Sequence, residues 1–142
     1  MNALNKLLAQ GGDVNATDDA GRTALICAVM EGKESIVEFL LKNNCNLDIQ
    51  DNQGYSALHF AAQDYRVAIA KMLLDAGASV DLQDSYGDTP LWRATFESHG
   101  RGEMIVLLLA GGADKNLQNH SGKSPYDLAR TMTNYDIQQF FS

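Results

Sequence analysis

The chain has 142 residues, 45% of them hydrophobic, with a formal net charge of −7. That suits one domain with a continuous core and argues against a disordered chain. An acidic surface repels polyanions, so no nucleic acid and no anionic membrane is expected as a partner, and a basic protein is favoured. No apolar run approaches the roughly 18 to 20 residues of a membrane span. The first residues, MNALNKLLAQGG, also lack a signal peptide's basic start and long apolar segment. The cytoplasm is the default expectation.

The chain repeats itself. At a shift of 33, Gly21, Gly54 and Gly87 coincide, as do Leu25, Leu58 and Leu91, and Ala28, Ala61 and Ala94. A fourth copy with Gly122, Tyr126 and Ala129 follows after a shift of 35. A period of this length changes what every residue means, because each unit is then one element of a stack.

In chain order, residues 1–17 read as a partial repeat in which only a second helix is legible, through Leu4, Leu7 and Leu8. Full repeats follow over 18–50, 51–83 and 84–118, and 119–142 closes the array. Each full unit opens on a polar segment with Asp three residues before Gly: Asp18 and Gly21, Asp51 and Gly54, Asp84 and Gly87; Asn119 and Gly122 match them in the last copy. A side-chain oxygen that bonds the turn backbone, with Gly free to take positive φ, makes a tight turn or hairpin tip. Thr23, Ser56, Thr89 and Ser124 then stand where an N-cap belongs, followed by proline at Pro90 and Pro125.

A first short helix starts there, and a second follows a break near Gly32, Tyr65 or Gly102. The second carries Ile36, Val37, Phe39, Leu40 and Leu41 in one copy, Ile69 to Leu74 in the next and Met104 to Leu109 in the third, most of them on one broad face. Glycine or asparagine ends it, suited to a left-handed cap. In the last copy Ile137, Phe140 and Phe141 hold the register of that second helix. A helix pair of this size cannot bury its apolar faces alone, which predicts an all-α solenoid of stacked helix-turn-helix units joined by hairpin-like turns.

The pattern resembles the ankyrin repeat, D-x-x-G-x-T-P-L-H-x-A-A followed by G, I-V-x-L-L-L and G-A-D-V-N. Asp84, Gly87, Thr89, Pro90, Leu91 and Ala94 match it in one copy, and Asp51, Gly54, Leu58, His59, Ala61 and Ala62 in another. The resemblance implies that His59 is structural and ties down a turn. Ser98 to Glu103 holds two extra residues, read as a loop insertion or else as a partner-contact loop.

No cofactor, metal cage or catalytic constellation is legible. His59, His99 and His120 lie in different repeats, the turn carboxylates recur at the repeat period, and no G-x-S-x-G surrounds the Ser and Thr caps. Cys27 and Cys45 read as small core filler. An enzyme is not expected.

The resemblance also implies a concave face built from turn tips and the exposed side of each first helix. On it the expected partner-binding residues are Asp19, Arg22, Glu31, Asn52, Tyr55, Asp64, Tyr86, Asp88, Trp92, Phe96 and Glu97. Aromatic residues are the usual energetic anchors of an interface, and here acids surround them. The expected function is capture of another protein, with a basic surface, by a chain that is a monomer when unbound. The small stand-alone array is similar to bacterial ankyrin proteins, some of which act as immunity proteins that inhibit toxins. Alternatives are a regulatory inhibitor or adaptor of the kinase-inhibitor ankyrin type, or a fragment of a larger scaffold.

Overall fold

The computed structural model describes residues 13–141; the expected helix around Leu4, Leu7 and Leu8 lies outside them. Seven α-helices stand among the described residues, paired in chain order. They are α1 (Ala24–Glu31) with α2 (Glu34–Lys42), α3 (Ala57–Gln63) with α4 (Val67–Asp75), α5 (Pro90–Phe96) with α6 (Glu103–Ala110), and α7 (Pro125–Thr131). A short 3-10 turn, Gln138–Phe141, closes the chain.

Each first helix is started by a hydroxyl that accepts a backbone N–H: Thr23 from Ile26, Ser56 from His59, Thr89 from Trp92 and Ser124 from Asp127. Every such cap contributes about 1 kcal/mol. The helices are short enough to depend on packing; α1 and α3 are almost wholly buried, while α5 and α7 are buried only on the side that meets the stack. Leu25, Leu58 and Leu91 are inaccessible, as are Ala28, Ala61 and Ala94. They stack on one another, α1 on α3, α3 on α5 and α5 on α7, while α2, α4, α6 and the closing turn form the second layer.

The second helices bury a narrower stripe than their apolar content suggests. Val37 and Leu40, Ile69 and Leu73, and Ile105 and Leu108 are buried, but Phe39 and Val106 face outward. One stripe of a single helix meets its neighbours, and Phe39 is off it. The left-handed stops fall one residue past the caps, at Asn44, Gly77 and Gly112. The last unit also departs from expectation. Ile137 and Phe141 are buried as their register requires, yet the segment is a single 3-10 turn.

The turns follow one design. Oδ1 of Asp51 accepts the N–H of Gln53 and of Tyr55, both at 2.9 Å, and Asp18, Asp84 and Asn119 do the same in their own turns. Successive tips are joined by backbone bonds from Asn52 to Ala20, Ser85 to Gln53 and His120 to Tyr86. The approach is close at Gly54, with φ +82°, where a β-carbon would come within 2.8 Å of the Asp84 backbone.

The insertion is a built corner. The Tyr65 hydroxyl donates to the Arg101 carbonyl at 2.7 Å, and the Arg101 guanidinium lies 3.9 Å from the Tyr65 ring while donating to the carbonyls of Ser98 and Glu97. From the other side, Tyr135 meets His99 edge-on and packs on Gly100, and the Phe140 ring fills the space beside Gly102.

Candidate functional site

The tips and the first helices present the residues singled out from sequence, in three different states. Asp19, Asn52 and Asp64 are exposed, as are Tyr86 at 65% and Phe96 at 57%. Glu31 is exposed and pairs with Lys33 at 3.4 Å. The Asn52 side-chain amide donates to the Asp19 carbonyl, so one of its groups already serves the stack. Glu97 and Trp92 are half-buried.

Arg22, Tyr55 and Asp88 are engaged between repeats. All three occupy the same register, just past the turn glycine, and each meets the repeat that follows. Arg22 pairs with Asp51 at 3.5 Å and lies over the Phe60 ring. Tyr55 stacks on His59, meets Phe60 edge-on and lies under the Arg93 guanidinium at 5.0 Å. Asp88, only 6% exposed, accepts from the Asn119 amide at 2.9 Å and pairs with Arg93 at 3.1 Å. As a freely presented surface acid Asp88 is corrected: it sits inside the stack because Arg93 and Asn119 satisfy it there.

Arg93 is the residue that the sequence reading missed. It stands where the other copies carry Cys27 and Phe60, and binds Asp84, whose side chain is fully buried, through two nitrogens at 2.9 and 3.2 Å. A cation in an otherwise apolar register, beside two acids four residues apart, was the available signal. Burial pushes the Asp88 carboxyl above its usual range, against the pull of Asn119 and Arg93. His59 is held by geometry: Nδ1 accepts the Ser56 N–H at 3.2 Å, and Nε2 donates to the Asp88 carbonyl at 2.8 Å. Burial lowers its pKa, so this neutral tautomer is the stable one.

Beyond Trp92 the surface opens into a cleft of about 440 Å³ lined by Trp92, Lys123, Asp127, Leu128, Arg130 and Thr131. The equivalent residues of Trp92, Ile26 and His59, are each 1% exposed. Among the described residues no cluster of three or more His, Cys, Asp or Glu could hold a metal, and no helix is long and apolar enough to cross a membrane. The two thiols are buried, and burial raises both, Cys27 to about 11.

A stack of turn-helix-helix units, with its buried polar groups spent on capping helices, holding turns and joining repeats, defines a repeat scaffold. A family model describing three copies of the ankyrin repeat matches residues 1–84 and, overlapping them, 45–119. The chain belongs to the ankyrin-repeat family, whose repeats are generally protein–protein interaction modules. No curated protein matches it.

Proposed function

We propose that the chain is a non-catalytic binding protein that captures a partner protein on the face made by its tips and first helices. The observation that carries this is the exposure of Tyr86 and Phe96, at the tip and at the helix end of one repeat, in a fold whose other aromatic residues are mostly packed. Large exposed aromatics of this kind anchor interfaces. Asp19, Asp64 and the half-buried Glu97 lie on the same set of elements, and the net charge of −7 supports a partner with a basic surface whose approach it would speed. A basic toxin held by an immunity-type inhibitor fits that charge.

The test places a photo-reactive side chain at position 86, at position 96 or, as a control, at the outward Lys71, and identifies what each captures in the native cell. One protein cross-linked from 86 and 96 but not from 71 is expected, with affinity for the purified partner falling at least about tenfold in Tyr86→Ala/Phe96→Ala. Capture from position 71 alone, or unchanged affinity, removes the proposal.

A further inference from the structure

The recognition face is not uniformly acidic. Residues 1–114 contain sixteen acidic and eight basic side chains, whereas residues 115–142 contain three basic and two acidic ones. Two of those three bases, Lys123 and Arg130, line the cleft beside Trp92.

Most of the groups left unengaged in that cleft are donors. One oxygen of Asp127 is occupied, accepting the Ser124 N–H at 3.0 Å in a capping box, and that bond, helped by the nearby Lys123 and Arg130 charges, holds its pKa below the usual value. The Thr131 hydroxyl donates to the Leu128 carbonyl. By contrast the Trp92 indole N–H and the Lys123 ammonium have no hydrogen-bond partner among the described residues, and Arg130 makes no hydrogen bond there, lying 5.8 Å from the Tyr126 ring and within electrostatic reach of Asp127. Donors around an apolar floor of Trp92 and Leu128 suit an acceptor-rich anion carried next to an apolar group. With Asp127 opposing two cations the site compensates one negative charge. A monoanionic carboxylate fits that balance, and a dianionic phosphate leaves charge uncompensated.

We propose that this cleft takes a carboxylate of the partner, an acidic side chain flanked by an aliphatic one. The proposal rests on the reading of the chain as a partner-capturing protein and adds a direction to it. The partner lies with basic residues toward Asp19, Asp64 and Glu97 and an acidic one toward Lys123 and Arg130.

Trp92 is the single tryptophan, so its emission reports on this cleft alone. The probe is a capped leucyl-glutamyl-leucine peptide titrated into the whole chain, with the glutaminyl peptide and inorganic phosphate as separate arms. A saturable change in emission is expected with the glutamyl peptide and none with the other two. Lys123→Glu/Arg130→Glu should weaken that peptide at least about tenfold, with circular dichroism showing the fold retained. Tyr86→Ala/Phe96→Ala should leave peptide binding intact, which separates failure of this site from failure of partner capture. Phosphate binding as well as or better than the glutamyl peptide, equal response to the glutaminyl peptide, or no saturable change up to low-millimolar peptide overturns the proposal.

Discussion

The first and last tip-to-tip junctions solve one problem with opposite charges. In the first, Arg22 faces the turn carboxylate Asp51 of the next repeat. In the last, the same register holds Asp88, and the next turn carries Asn119 where the others carry aspartate. An aspartate there would set two carboxylates together in a buried site. The amide keeps the oxygen that accepts the N–H groups of Ser121 and Lys123, and adds an N–H for Asp88. The turn residue is therefore chosen by two demands: the turn asks for a side-chain oxygen, and the preceding tip decides whether its other half is an acceptor or a donor.

Removing Arg93 should break the last junction most severely. Arg93→Met keeps an apolar stem against Tyr55 but leaves Asp88 with Asn119 alone and Asp84 with only its turn N–H groups. Loss of one partner of a buried ion pair costs about 3 kcal/mol or more, read as a fall in the urea midpoint. The pH dependence has a defined sign. The Asp88 carboxyl already titrates above its ordinary value of 3.8, and without Arg93 it would rise further. A carboxyl with a raised folded pKa binds its proton more readily in the folded state, so the deficit of the variant relative to the native chain should shrink as pH falls toward that value. His59 acts oppositely in both proteins. Its pKa, lowered mainly by burial, costs stability as pH falls below 6.5, the ordinary imidazole value; the Arg93 charge adds to that lowering, so its removal relieves part of the cost and works in the same direction, shrinking the deficit as pH falls.

Asn119→Asp tests the complementarity itself. It retains both turn bonds, removes the donor to Asp88 and sets a like charge against it, at an expected cost of about 2 kcal/mol at neutral pH. Adding Asp88→Asn restores an amide facing a carboxylate with the roles exchanged. The double variant should recover most of the loss, and a double-mutant cycle showing no coupling would separate the two side chains energetically.

Much of the fold was legible because its causes are local and repeated. The caps at Thr23, Ser56, Thr89 and Ser124 and the turn oxygens at Asp18, Asp51, Asp84 and Asn119 act within four residues of their own position, so the sequence displays donor and acceptor together. The face was harder to read because exposure depends on the neighbouring unit. Asp88 and Tyr86 belong to the same tip, yet one is enclosed by Arg93 and Asn119 and the other stands free to 65%. Periodicity reports where a residue sits in its own repeat and carries nothing about a cation in the next helix. The corner at Ser98 to Glu103 shows the same limit: two extra residues announce a loop, but Tyr65, Tyr135 and Phe140, which fix it, come from other units.

The smallest effect should come from the first junction, and its size sharpens the contrast. Arg22 and Asp51 stand 3.5 Å apart, with the arginine side chain 33% exposed against 16% for Arg93. Water reaches the guanidinium, and Asp51 keeps the N–H groups of Gln53 and Tyr55 on its other oxygen. Arg22→Ala should therefore cost no more than about 1 kcal/mol, part of it from lost packing on Phe60. The electrostatic part should fade with added salt, whereas the cost of Arg93→Met should persist because both partners of its ion pairs, and not the carboxylates alone, are enclosed. If both variants lose equal stability and respond alike to salt, burial does not distinguish the two junctions, and the choice of Asn119 over aspartate must have another cause.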